Sequence, residues 1–162
     1  MWLICAAFVV AGCASVPSQT SAISATGEKT VFIIRHLQKG AGPDPSLTPE
    51  GAANAQRLAA MLADKHITAI FATPTRRAVQ TADPLAKELG IPVTPYDPSD
   101  TGALAREVAA TSGSVLIVVH SNTVPDLVQL FGGARPAALS ELDYGTVFAV
   151  GADHQVTSFG LR

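Results

Sequence analysis

Chemistry in this sequence could be built on Arg35 and His36, on Arg77 and on His120, each at or just past the end of an apolar run. Arginine presents a planar fork of donors that fits phosphate oxygens. An unprotonated imidazole can attack phosphorus as a nucleophile, and a second can stabilise charge on the equatorial oxygens of a transition state. Two arginines and two imidazoles in one place would therefore suit a tetrahedral dianion. An isolated Arg-His pair is ordinarily a surface cation beside a partly buried ring, so the pattern depends on the elements that must bring all four residues together.

The first of these elements is Val31-Phe32-Ile33-Ile34, which reads as a strand buried on both faces, as in a parallel sheet covered by helices. Arg35 and His36 follow where it surfaces, at the carboxyl edge where open α/β sheets hold ligands. Gly40, Gly42, Pro43 and Pro45 make residues 37–46 a loop. Thr48 then caps a helix with Pro49 at its first position and Glu50 in its first turn; Gly51, Ala55, Leu58 and Leu62 share one face of it. Residues 68–72 read as a second strand. Thr73-Pro74 caps and opens the next helix, with Ala78, Ala82, Leu85 and Leu89 as its apolar stripe and Gly90 at its end. Arg77 falls in its first turn, where a cation opposes the helix dipole; a bound anion would account for it.

Residues 91–94 read as a short strand and 96–100 as a loop, with Asp100 as the cap of a third helix that buries Leu104 and Val108. Val115-Leu116-Ile117-Val118-Val119 is the strongest strand in the chain and should be central. It ends in His120, and either Ser121 or Asn122 could cap a helix over 124–131. Residues 146–150 and 155–159 form a closing hairpin around 151–154. The fold class expected is α/β, three-layer α/β/α, with a mostly parallel central sheet and an antiparallel C-terminal hairpin at its edge. In such a sheet the three junctions open on one edge, so Arg35, His36, Arg77 and His120 converge.

Longer stretches around these residues resemble the histidine phosphatase superfamily, in the branch that includes phosphoglycerate mutases and small phosphohistidine phosphatases. Arg35-His36 stands where that family has its Arg-His-Gly signature, with Leu37 in the glycine's place and Gln38 where Glu or Gln is usual. Leu47-Thr48-Pro49-Glu50-Gly51 followed by Asn54-Ala55 is similar to its Leu-Thr-x-x-Gly-x-x-Gln-Ala helix start. Ala72-Thr73-Pro74-Thr75-Arg76-Arg77-Ala78-Val79-Gln80-Thr81-Ala82 looks like its Ser-Ser-Pro-Leu-x-Arg-Ala-x-Gln-Thr-Ala segment, and Val118-Val119-His120-Ser121 corresponds to the second histidine. The resemblance covers residues 31–131. It implies a phosphatase that acts on small phosphorylated substrates, with His36 as the nucleophile that forms a phosphohistidine. Arg35, Arg77 and His120 would hold the phosphoryl group, with Asn122 beside them, and no metal or cofactor would take part. His36, His66, His120 and His154 include no pair at a common metal-ligand spacing. His66 and His154 read as a solvated helix end and a hairpin tip.

The family commonly takes its general acid from an insertion after the third strand, which is short here. Asp97 is the candidate, since Asp100 has a capping role to fill. Without an acid, phosphohistidine or acyl phosphates would be the favoured substrates. Lys39 could join the phosphate site but reads first as solvated; Asp143 and Tyr144 could line the pocket or form a turn, and residues 40–46 and 134–144 should shape its mouth. Mutase activity is not expected, for want of the long insertions that shape a sugar-phosphate pocket. An inactive phosphate-binding or structural module is the alternative from another class, and a phosphohistidine phosphatase the alternative activity.

Composition sets the remaining bounds. The chain of 162 residues suits one domain, and 48% hydrophobic with 15% charged residues is a globular balance. A net charge of −2 with eleven scattered Lys and Arg carries no nucleic-acid signature. Residues 2–11 are apolar, too few for a span that needs about 20, and lead into Val10-Ala11-Gly12-Cys13. This resembles a bacterial lipoprotein signal. It implies removal of residues 1–12, lipid on Cys13 and a tether over 13–29 ahead of the histidine phosphatase-like domain over 30–162, in a protein anchored to the membrane of the cell envelope, outside the cytoplasm. Cys5 would leave with the signal, so thiol catalysis and cysteine-based zinc are excluded.

Overall fold

The computed structural model describes residues 28–161. The signal segment, Cys13 and nearly all of the tether lie outside them. Six strands form one sheet: β1 (Val31–Arg35), β2 (Ile67–Ala72), β3 (Val93–Pro95), β4 (Ser114–Val119), β5 (Thr146–Val150) and β6 (Val156–Gly160). Their spatial order is β3-β2-β4-β1-β5-β6. The pairs β3/β2, β2/β4 and β4/β1 are parallel, while β5 runs antiparallel to β1 and β6 antiparallel to β5. The expected mixed sheet with its antiparallel hairpin at one edge is therefore the architecture observed.

Alternation along the buried strands divides the core in two. Phe32, Ile34, Leu116 and Val118 face α1 (Pro49–Leu62) and α2 (Arg76–Leu89), meeting Leu58, Leu62, Ala82 and Leu85. Val31, Ile33, Val115, Ile117 and Val119 face α3 (Thr101–Ala110) and α4 (Val124–Leu130), meeting Leu104, Val108, Leu127 and Val128. Every residue of β1 and β4 is buried, which explains why both read as unbroken apolar runs rather than as alternating ones. Among the described residues no helix is long and apolar enough to cross a membrane.

Three local expectations are corrected. Helix α2 begins at Arg76, capped by the backbone of Thr75 without a side-chain bond, not at Thr73-Pro74. The Thr73 N–H instead extends the sheet by donating to the Val118 carbonyl at 3.2 Å, and the helix end is capped from outside, with Arg76 N–H donating to Asp44 Oδ1 at 2.9 Å. Neither Ser121 nor Asn122 caps α4; Thr123 takes that position, and its hydroxyl bonds the backbone of His120. Helix α4 ends at Leu130, one residue before the expected end.

The segments that frame the site are cross-tied. Gln80 Oε1 accepts from Leu47 N–H at 2.8 Å, and Thr81 Oγ1 accepts from Leu37 N–H at 3.0 Å. Thr48 caps α1 by accepting from Gly51 N–H at 3.1 Å, while its own N–H donates to the Gln38 carbonyl at 2.9 Å. Asn54 donates to Gln38 Oε1 at 3.0 Å. Leu37, in the place of a glycine, is fully buried in the core beneath α1 and α2.

Candidate active site

Strand order turns four distant residues into neighbours. β4 lies between β1 and β2, so its carboxyl end delivers His120 between Arg35-His36 on one side and Thr73 on the other. His36 N–H donates to the Val119 carbonyl at 2.8 Å, which prolongs the β1/β4 ladder by one rung and fixes the His36 backbone. Arg77 comes in from the first turn of α2. Arg35, His36, Lys39, Arg77, His120, Ser121, Asn122 and Glu141 line a cavity of about 310 Å³.

His36 is 2% exposed. Its Nδ1 stands 2.9 Å from the Leu37 carbonyl. A carbonyl can only accept, so Nδ1 carries the hydrogen and Nε2 is left with its lone pair. Burial, with the positive charges of Arg77 and Arg35 and the neighbouring His120, lowers the His36 pKa from 6.5 to about 4. The ring is thus neutral at neutral pH. The His120 ring lies edge-on to it, with centroids 5.3 Å apart, and its Nε2 is 3.2 Å from the Thr73 hydroxyl. Burial and the same two arginines lower the His120 pKa as well.

The arginines are held differently. Arg35 is 1% exposed and lies over the Tyr144 ring at 4.2 Å. Its Nη1 donates to the Ser140 carbonyl at 2.8 Å and to that of Asp143 at 3.3 Å, and its Nη2 donates to Glu141 Oε2 at 2.8 Å. Arg77 has one weak ionic neighbour, Asp44 at 3.6 Å. The Nε atoms of both arginines are buried and have no hydrogen-bond partner among the described residues. A buried donor left without an acceptor costs about 1–3 kcal/mol, and an anion in the cavity would relieve that cost. With three cations, one carboxylate and two neutral imidazoles around it, the cavity suits a dianion. Among the described residues no group of three or more His, Cys, Asp or Glu could hold a metal.

The structure therefore brings Arg35, His36, Arg77, His120 and Asn122 together, and of the two places open to Lys39 it takes the one in the cavity wall rather than the solvated one. Asp97 is not with them. It is exposed in the loop after β3, where Ser99 donates to Oδ1 through both its N–H (2.8 Å) and its hydroxyl (2.6 Å). Those bonds lower its pKa, so it holds a turn as an ionised group and is not positioned to give up a proton in the cavity. Asp100 caps α3 as expected, accepting from Ala103 N–H at 2.8 Å. The carboxylate that does reach the cavity is Glu141. It lies within the stretch expected to shape the mouth, but nothing in the local sequence separates it from its neighbours. Ser121 donates to Glu141 Oε1 at 2.6 Å, and this bond together with the Arg35 charge holds its carboxyl below the usual range. Tyr144 backs the site at 6.1 Å from His36, and Asp143 braces the turn by accepting from Ser140 N–H at 2.6 Å.

Residues 31–98 match the model of the histidine phosphatase superfamily (branch 1). No curated protein sequence matches the chain. The fold is shared with the protein histidine phosphatase SixA in its tungstate complex, at 23% identity and a TM-score of 0.61, over 80% of this chain and 94% of that one. It is shared with the mycobacterial glucosyl-3-phosphoglycerate phosphatase in complex with inorganic phosphate, at 15% identity and a TM-score of 0.61, over 81% and 95%. It is also shared with a phosphoglycerate mutase from Bacillus anthracis, at 14% identity and a TM-score of 0.60, over 83% and 94%.

Proposed function

We propose that this chain is a metal-independent phosphatase of the histidine phosphatase superfamily that hydrolyses phosphorylated substrates through a phosphohistidine on His36. The observation that carries the reading is the His36 ring itself: buried, neutral, with Nδ1 committed to the Leu37 carbonyl, Nε2 without a hydrogen bond among the described residues, and the charges of Arg77 and Arg35 near enough to lower its pKa. In the first step the Nε2 lone pair forms a bond to phosphorus as the bond to the leaving group breaks. The imidazolium so formed keeps its Nδ1 proton on the Leu37 carbonyl. Arg77, His120 and the Nε of Arg35 take the equatorial oxygens, with Asn122 at the rim. In the second step a water oxygen attacks phosphorus as the N–P bond breaks; the bonding pair returns to Nε2, both water protons stay with the phosphate, which departs as dihydrogen phosphate, and His36 is again the neutral ring.

A specific observation favours one substrate class. Among the described residues the carboxylate lining the cavity is Glu141, held ionised by Ser121 and Arg35, so no carboxylic acid stands ready to protonate a poor leaving oxygen. Substrates with good leaving groups, such as phosphohistidine or acyl phosphates, fit this site better than alkyl phosphates, and mutase activity does not enter the reading.

The test is hydrolysis of 4-nitrophenyl phosphate and of a phosphoramidate in the presence of a chelator. The native protein should turn over both, and His36→Ala should lose at least about a thousandfold in kcat. Activity that needs added metal, or that survives His36→Ala, would sink the proposal.

A further inference from the structure

Glu141 occupies donors that a phosphoryl group would use. Its two oxygens span Arg35 Nη2 (2.8 Å) and the Ser121 hydroxyl (2.6 Å), much as two oxygens of a tetrahedral anion could. The fit is incomplete. Nε and Nη2 share one edge of the Arg35 guanidinium, and that edge is built to give two parallel bonds. Of these two Glu141 takes only Nη2, and the buried Nε has no partner among the described residues. A phosphoryl group, with three oxygens and greater charge, can fill both. Glu141 can also leave: its side chain is 75% exposed and projects from an exposed turn, whereas Arg35 is 1% exposed and anchored through Nη1 to the carbonyls of Ser140 and Asp143.

We propose that Glu141 is a built-in competitor for the phosphoryl site, bridging Arg35 and Ser121 until a ligand able to fill the whole Arg35 edge displaces it into solvent. It rests on the reading of the cavity as a phosphoryl site. The competitor raises the affinity threshold a ligand must reach, and it spares the buried arginine from standing unpaired when no ligand is bound. A ligand that offers Arg35 a single oxygen gains nothing over Glu141 and is held out.

Calorimetric titration of the full-length protein with inorganic phosphate, at one fixed pH and ionic strength, tests this with two variants. Glu141→Gln keeps the shape and removes the charge. Glu141→Asp keeps the charge but is one methylene too short to span both donors. Displacement of a bridging contact predicts that both variants bind phosphate more tightly than the native protein, by roughly three- to tenfold. Tighter binding by Glu141→Gln alone would mean that Glu141 acts only through its charge, and it would overturn the competitor, as would equal or weaker binding by both. Absence of phosphate binding in all three proteins would overturn the phosphoryl-site reading itself, a result distinct from equal binding by all three.

Discussion

His36 shows how much of the chemistry is set by one residue's surroundings. Its folded pKa of about 4 lies below the 6.5 of an unfolded histidine, with burial the largest cause and the cations around it next. Between those two values the unfolded chain binds more protons than the folded one. The contribution of this group to stability is therefore greatest above pH 6.5, falls as the pH is lowered from 6.5 toward 4, and changes no further below that. In the proposed mechanism the same shift would keep the His36 nucleophile in its reactive form well into the acid range. Denaturant titrations at pH 7 and pH 5 should show the native protein losing about 2 kcal/mol more than His36→Gln does, with His120 adding a change of the same sign to both. A His36 ring resonance that titrates at pH 6 or above would contradict this.

At the scale of elements, the motif residues outside the cavity have structural reasons. Gln80 and Thr81 on α2 tie down the loop before α1 and the residue after His36, and Asn54 reaches back to Gln38. Gly51 is the tightest of these joints. A Cβ there would overlap the Gln38 carbonyl oxygen and come within 3.1 Å of the Gln38 carbonyl carbon, both of them backbone atoms that no side-chain rotation can move away. Alanine at a helical position is ordinarily favourable. Gly51→Ala should nevertheless destabilise the protein by about 1–3 kcal/mol, the usual cost of overpacking, and by shifting the segment after His36 it should lower kcat/KM. Unfolding curves and kinetics on the same preparation check it; unchanged stability would show that α1 can move off the Gln38 backbone freely.

For the molecule as a whole, the sequence proposes an address that the described residues do not touch. An apolar stretch at 2–11 leading to a cysteine after small residues leads us to propose lipid on Cys13 and a membrane anchor for the domain that follows. Expressed in a bacterium, the protein should partition with membranes and carry acyl mass on an N-terminal Cys13, while Cys13→Ser should lose both. Mass spectrometry of the N-terminal peptide decides it, and an unmodified chain that begins at Met1 would overturn the lipid anchor.

Much of the fold is legible in the amino-acid sequence. Unbroken apolar runs at 31–34 and 115–119 are the pattern of strands covered on both faces, and helix ends are marked locally, by the left-handed backbone of Gly90 and by the Thr48 side-chain cap followed by Pro49. Parallel strands share their carboxyl edge, so the order of runs and junctions along the chain already requires Arg35, His36, Arg77 and His120 to lie at one end of the sheet. The remaining features depend on contacts between segments far apart in the chain. The order β2-β4-β1 puts His120 between Thr73 and His36, and the cap from Asp44 frees Thr73 for that contact. Which carboxylate reaches the cavity is settled in the same way. Asp97 and Glu141 both lie in polar loops with no periodicity to aim them, and only the path of the 140–144 turn over a buried arginine brings Glu141 in and leaves Asp97 bonded to its own loop.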